Sequence, residues 1–362
     1  MKQILLSCIA CFLSLAAAGQ NQVKELDQLF RQLHQQQAFN GNILIARDGN
    51  IIYENSFGLA DITTKEPLTS KSVFNLASVT KQFTAMGIVL LQREGKLSVE
   101  DNFSKYLPEL SSYKNIRVQD LITHQSGLSS YMVVMDEKWN KEVIATNEEV
   151  IALFAEQLPE VLFEPRTSWE YNNTGYVLLA EIIERVSGQP YPKFLAENIF
   201  EPLGMDQTQV ILRYKNPVQV DHLTESYVDG PKDPITEPYN TKEYDYVTYL
   251  DGVYGQGRLH STTHDLLKWD QAIWGEFLSP AERELIFTSQ ELSDGSDTSY
   301  AYGWYVEEHP QHGKIVYHSG DWTGYRTHIE RHLDSDLTII WLQNIDIPTT
   351  VLPREEIWEV VY

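Results

Sequence analysis

Ser78 and Lys81 stand three residues apart at the head of an apolar run that continues through Phe83, Met86, Val89 and Leu90 to Gly95. On a helix, that spacing puts a hydroxyl and an amine on one face. A serine hydroxyl attacks a carbonyl only weakly until a base takes its proton, and a lysine with a pKa lowered by desolvation is such a base. The amides at a helix N-terminus add stabilisation for the negative charge that then develops. The same pattern occurs at Ser111 and Lys114, but in a polar stretch after Pro108 with no periodic apolar run behind it. Setting, not the bare pattern, singles out Ser78.

Two further groups complete a proton path. Tyr171 can relay a proton through its phenol, and the amide of Asn173 can hold Lys81 or a substrate by hydrogen bonds. Tyr-x-Asn also occurs at Tyr53, Tyr113 and Tyr214, yet here it follows Trp169-Glu170 and leads through Thr174-Gly175-Tyr176 into an apolar helix. His318-Ser319-Gly320 follows a strand-like run from Lys314 to Tyr317. There His318 can donate a hydrogen bond or carry part-time positive charge, and a glycine lets a substrate approach the strand backbone.

The elements that must position these groups are read from periodicity. Helical spacing marks Val23 to Leu33, Lys81 to Leu91, Val150 to Leu158, Gly175 to Val186 and Thr263 to Trp274. Strand patterns mark Asn42 to Arg47 and Ile51 to Asn55 around the turn Asp48-Gly49-Asn50, then Lys314 to Tyr317, Tyr325 to His332 and Leu337 to Gln343. Strands at both ends of a helical centre predict an α+β fold, with one antiparallel sheet built from the N- and C-terminal segments and a mainly helical central lobe. The expected division is a sheet lobe over about 22–80 and 300–362 and a helical lobe over about 81–299, with the site at their seam. A tyrosine-rich excursion from Asp221 to Gly257 is expected to pack against the body, with an aromatic rim to the cleft as the alternative.

In this order the motifs resemble those of the penicillin-recognising serine hydrolases, in particular the β-lactamase-related family of class C β-lactamases, D-stereospecific peptidases and esterases. Leu121-Ile122-Thr123-His124-Gln125-Ser126-Gly127-Leu128 and Gly257-Arg258-Leu259-His260-Ser261-Thr262 with Asp265-Leu266 are similar to supporting stretches of that family. The resemblance implies a β-lactamase/transpeptidase-like fold and an acyl-enzyme on Ser78, with Lys81 and Tyr171 moving protons and Asn173 orienting Lys81 and substrate. It implies an oxyanion hole from the backbone amides of Ser78 and Asp321, with His318, Ser319 and Gly320 lining the substrate side. Members active on β-lactams often have lysine where this chain has His318, which ranks a small ester or D-amino-acid peptide first, a cell-wall peptide for a DD-peptidase second and a β-lactam third. Arg326 is a candidate to replace the missing charge, although an exposed strand arginine is the reading preferred for it. A non-catalytic, ligand-binding relative is the alternative of another class, and it would not need the full set of Ser78, Lys81, Tyr171 and Asn173. The family's closing helix is expected within Pro353 to Tyr362.

Composition bounds the remaining possibilities. The chain has 362 residues, 42% hydrophobic and 22% charged, as in ordinary globular proteins. Twenty-eight basic against 51 acidic residues give a formal charge of -23, which disfavours nucleic acid and anionic lipid as partners and steers strongly anionic substrates away. Lys2, the apolar run Ile4 to Leu15 and Ala16-Ala17-Ala18 read as a signal peptide over residues 1–18, followed by a single catalytic domain over 19–362. That run is too short to span a bilayer, so the mature protein is expected in the periplasm or outside the cell, without stable membrane insertion. Both cysteines, Cys8 and Cys11, lie in this leader, leaving no disulfide after cleavage; a lipid anchor on Cys8 is the alternative. No metal or other cofactor is expected: His260 and His264, and His328 and His332, have the wrong order or geometry for a shared ion. The expected partner is a small-molecule or peptide substrate.

Overall fold

Asp48 and Gly49 both adopt positive φ, 51° and 72°, the requirement of a two-residue type I′ turn. They join β1 (Gly41–Arg47) to β2 (Asn50–Phe57). The computed structural model describes residues 2–229, 235–351 and 353–362. β1 pairs on its other side with a strand from the far end of the sequence. With β3 (Tyr305–His309), β4 (Gly313–Trp322), β5 (Tyr325–His332) and β6 (Leu337–Gln343), the antiparallel sheet runs β2-β1-β6-β5-β4-β3. The β1–β6 register runs from Gly41 opposite Gln343 to Arg47 opposite Leu337.

Both sheet faces are covered, which is why Leu337–Gln343 is almost wholly apolar. One face, with Ile43, Ile45, Ile315, Ile339 and Trp341, packs on Leu26 and Phe30 of α1 (Lys2–Gln35) and on a C-terminal helix, Arg354–Val361, through Ile357 and Trp358. The other face, with Leu44, Val316, Ile329 and Ile340, joins the large core of the helical lobe. That lobe is built around α2 (Thr80–Arg93) and carries α3 (Val118–Ile122), α4 (Tyr131–Lys138), α5 (Asn147–Gln157), α6 (Asn173–Ser187), α7 (Thr263–Trp274) and α8 (Pro280–Phe287). The C-terminal helix Arg354–Val361 is α9. The architecture is the α+β fold expected from the sequence. Among the described residues no helix is long and apolar enough to cross a membrane.

Glu330, on β5, is fully buried beneath α9. Its carboxylate accepts from His328 Nε2 at 3.0 Å and His332 Nε2 at 3.1 Å, and from Arg354 Nε at 2.5 Å and Trp358 Nε1 at 2.6 Å. His328 and His332 thus converge on a carboxylate. His260 bonds the Arg258 carbonyl through Nδ1, while His264 reaches Glu54 at 2.7 Å.

The excursion from Asp221 mostly packs on the body, with residues 230–234 outside the described part. Tyr227–Val228 pairs in parallel with Ile345–Asp346, Tyr249 is buried, and Tyr254 stacks on Tyr191 at 5.3 Å. Tyr246 meets Trp322 at the end of β4 edge-on at 5.4 Å, and Tyr239 is exposed. The side chains of residues 1–18, including Cys8, lie outside the described part.

Candidate active site

The turn before α2 is clamped on three sides. Phe74–Asn75 pairs with Leu259–Ser261, and Leu76 N donates to Leu259 O at 2.8 Å. Ala77 adopts the left-handed φ of +48°, held by a hydrogen bond from its N–H to Asn75 Oδ1 at 2.8 Å. Such a conformation costs a non-glycine residue of order 1 kcal/mol. It ends the strand abruptly and starts the 3₁₀ turn Ala77–Val79 that carries Ser78 into α2. From the sheet side, Thr327 Oγ1 donates to Leu76 O at 2.7 Å. Gly320 makes this approach possible: a Cβ there would lie 2.3 Å from Leu76 O and 2.2 Å from Thr327 Oγ1. The glycine expected to admit substrate therefore admits the serine turn instead.

Lys81 is fully buried, with Nζ 3.0 Å from Ser78 Oγ and donating to Gln256 O at 3.0 Å. Among the described residues no carboxylate pairs with it. Its other neighbours are the rings of Tyr171 at 4.8 Å and Tyr176 at 5.4 Å. Burial holds the amine well below the usual lysine range, the direction that favours a proton acceptor. The carbonyl of Gln256, not the amide of Asn173, orients it.

Tyr171 and Asn173 reach the same place at the start of α6. Burial pushes the Tyr171 phenol well above its ordinary pKa, with the Ser78 hydroxyl acting in the opposite direction, so the phenol is protonated. The Tyr171 hydroxyl is buried and turned to Ser78, and Asn173 Oδ1 is buried without a hydrogen-bond partner among the described residues. The Tyr171 ring lies against His124, 4.4 Å between centroids. His124 Nδ1 accepts from the backbone N–H of Asn172 at 3.1 Å, so the imidazole proton must sit on Nε2. Asn172 caps α6 with Oδ1, accepting from Thr174 N at 2.7 Å.

β4 extends five residues beyond the expected strand, to Trp322, so the third motif lies inside it and alternates between faces. His318 points to the serine side, buried. Its Nδ1 is 2.7 Å from Ser319 O, which can only accept, so Nε2 accepts from the Tyr300 hydroxyl at 3.0 Å. Burial, reinforced by Lys81, lowers its pKa to about 3, and the ring is neutral. Ser319 corrects the sequence reading: its hydroxyl turns to the opposite face and meets His328 Nδ1 at 2.8 Å, away from Ser78. Asp321 lies at the cleft rim with its carboxylate on Arg326 Nη1 at 2.6 Å. Arg326 also binds Asp346 at 3.0 Å, so it is occupied. Ser111 and Lys114 are exposed, remote in setting from any such arrangement.

Ser78, Asn173 and Asp321 line one cleft of about 340 Å³ including its mouth. Four residues that motif reading did not place there complete its walls: Tyr131 from α4, and Gln256, Arg258 and Trp322. Tyr131 is tied to Gln256, whose Nε2 donates to its hydroxyl at 2.9 Å. The arrangement can pass the serine proton to an amine whose pKa burial lowers and offer a protonated phenol beside it.

A sequence model of the family described as Beta-lactamase matches residues 26–360. The chain belongs to the beta-lactamase family. Within that family it is similar to Penicillin-binding protein 4* of Bacillus subtilis (strain 168), 40% identical over 90% of this chain and 72% of that one. Its fold matches D-amino acid amidase from Ochrobactrum anthropi SV3, TM-score 0.72 at 23% identity, over 96% of both chains. It also matches EstCE1, a hydrolase with promiscuous acyltransferase activity, TM-score 0.76 at 21% identity, over 96% of this chain and all of that one. The protein is thus a serine hydrolase of the beta-lactamase family.

Proposed function

We propose that the protein is an exported hydrolase that cleaves an amide or ester through an acyl-enzyme on Ser78. The observation that carries this reading is the buried Lys81 amine 3.0 Å from Ser78 Oγ, its pKa lowered by burial and, among the described residues, without a paired carboxylate. In acylation, Ser78 Oγ bonds to the substrate carbonyl carbon and its proton passes to Lys81 Nζ. The protonated Tyr171 phenol gives a proton to the departing nitrogen or oxygen and is restored from Lys81, so no net proton is gained or lost. The N–H groups of Ser78 and Asp321 face the developing oxyanion, and Asn173, with an unpartnered amide oxygen, takes an N–H of the substrate. Water then repeats the steps in reverse and releases the acid.

Esters and D-amino-acid amides or peptides come first as substrates, a cell-wall peptide second and a β-lactam third. The similar proteins are named a penicillin-binding protein, a D-amino acid amidase and a hydrolase with promiscuous acyltransferase activity. What supports the order is the neutral His318 and the doubly paired Arg326, neither of which supplies a free cation on the strand. Residues 1–18 serve as the export leader, and residues 19–362 form the mature catalytic domain.

A fluorophosphonate or penicillin probe, followed by peptide mass spectrometry, tests the assignment. The expected adduct is on Ser78, and Ser78→Ala removes both adduct and turnover of p-nitrophenyl esters. Labelling at Ser111, or full turnover in Ser78→Ala, overturns it.

A further inference from the structure

β4 loses a neighbour where it enters the site. Its pairing with β3 ends at Tyr317 opposite Tyr305, whereas its pairing with β5 continues to Trp322 opposite Tyr325. Among the described residues, His318 to Trp322 is thus held by one strand, and its other edge is open. Backbone with a single partner opens more readily than backbone in mid-sheet, yet this segment carries the third motif. Side chains supply the missing hold. At the rim, Asp321 meets Arg326 in a pair that is partly solvent-exposed and therefore weak. Deeper in, the Ser319 hydroxyl lies 2.8 Å from Nδ1 of His328, the residue directly opposite it in the register.

His328 is itself fixed before it meets Ser319. The Glu330 carboxylate accepts from Nε2 at 3.0 Å, so that nitrogen carries the proton, Nδ1 is an acceptor and Ser319 must donate. The ring is 2% exposed and stacks on Trp341, 4.0 Å between centroids and 15° between planes. Glu330 in turn takes N–H bonds from Arg354 and Trp358 of α9. Tautomer, plane and position of the imidazole are all set from behind the sheet. We propose that His328 is a positioning residue for the reaction: by binding the Ser319 hydroxyl on the far face of β4, it keeps His318 and the Asp321 N–H in place against Ser78. The inference rests on the hydrolase reading of the cleft and adds to it a group that touches neither serine nor substrate. Strand alternation makes the hold effective, because a strand anchored through Ser319 on one face cannot roll, and His318 and Gly320 project from the other. Gly320 packs so closely on Leu76 O and Ala77 that a roll would push the serine turn as well.

Ser319→Ala and His328→Leu each remove the cross-strand bond, the first without touching Glu330. With p-nitrophenyl butyrate, each is expected to lower kcat about 3- to 10-fold, the scale of one neutral hydrogen bond, with KM changed less than about twofold. The double variant falls no further in kcat than His328→Leu alone, because both changes delete the same contact. His328→Gln, whose amide can give an N–H and take an O–H, recovers part of the loss. Hydrogen exchange read by mass spectrometry follows the hold without turnover: the peptide containing His318 to Trp322 exchanges faster in Ser319→Ala, and peptides from α2 do not. If the wild type hydrolyses no ester, the hydrolase reading fails and the role in the reaction falls with it, while exchange still decides whether His328 holds the strand. Wild-type kcat and exchange in Ser319→Ala, effects that multiply in the double variant, or a His328→Leu protein that melts earlier with kcat unchanged, each overturn the proposal.

Discussion

The Thr327 hydroxyl donates to the carbonyl of Leu76 at 2.7 Å, so a strand that carries none of the three motifs fixes the turn that carries the serine. Gly320, directly opposite Thr327 in the register of β4 and β5, leaves the space for that bond. Sheet and serine turn therefore act as one rigid unit.

Gly320→Ala tests this coupling. The added methyl has no room beside Leu76 O and Thr327 Oγ1, and overpacking of this kind costs about 1–3 kcal/mol. Melting is expected to drop accordingly, with kcat falling more than KM changes because the serine is displaced. Thr327→Val keeps the shape and loses the hydrogen bond, at about 1 kcal/mol. Unchanged kinetics in Gly320→Ala would show that the turn is positioned by α2 alone.

Lys81 sets a pH dependence with a definite sign. Its amine titrates well below its usual 10.5 in the folded protein, so the unfolded chain binds more protons between the two values and stability rises with pH across that window. The Tm of the wild type minus that of Lys81→Met is expected to increase as pH rises toward about 10. Activity should fall on the acid side as Lys81 protonates, and Lys81→Met should lose about 10²–10⁴-fold in kcat. A pH-independent Tm difference would mean that the buried lysine is charged.

His124 holds the tyrosine motif through an uncharged ring. Protonation at Nδ1 would break the bond from Asn172 N–H, and burial keeps the pKa well below 6.5. His124 therefore contributes stability above pH 6.5 that is lost as pH falls toward its folded pKa. His124→Leu leaves a buried N–H unpaired, a cost of about 1–3 kcal/mol, and should lower kcat without changing where the acid limb of the Lys81 titration lies. His124→Asn, with an acceptor oxygen, is expected to recover part of the loss. A shifted acid limb would give His124 a direct part in proton transfer.

Glu330 ties α9 to the sheet. Removing Arg354 and Trp358 by truncation after residue 352 strips two of four donors from a fully buried carboxylate. Breaking a buried ionic cluster on one side costs about 3–5 kcal/mol. Calorimetric melting should show that loss, and Glu330→Gln in the truncated chain should restore part of it. Equal Tm for the truncated and full chains would make α9 an ornament.

Much of the fold was legible because burial imposes periods. β5 and β6 match the expected strands residue for residue, and α7 matches Thr263 to Trp274. β4 was read short because Ser319, Gly320 and Asp321 interrupt the apolar pattern exactly where the strand serves the site rather than the core. Ser78, Lys81, Tyr171 and Asn173 were found by type and spacing, and they converge. The side of Ser319 was knowable: if His318 and Gly320 share a face, strand alternation puts Ser319 on the other. Trp322 had no such signal, and Arg258 was seen only within the Gly257 to Thr262 stretch, since a wall residue is chosen by three-dimensional neighbours that lie far apart in sequence. The hold of Gln256 on Lys81 was also invisible, because it is made by a backbone carbonyl that any residue carries.

The pairing of β1 with β6 has a consequence for how the protein comes into being. The first two strands leave the ribosome early, and the β1 edge has no partner strand until the last part of the chain has been made. The central strands of the sheet cannot close around them before then, and the serine turn has no Thr327 to rest on. Contacts this distant in sequence are slow to form. Birth order and folding order are thus opposed, and the nascent chain remains threadable for nearly the whole of its synthesis.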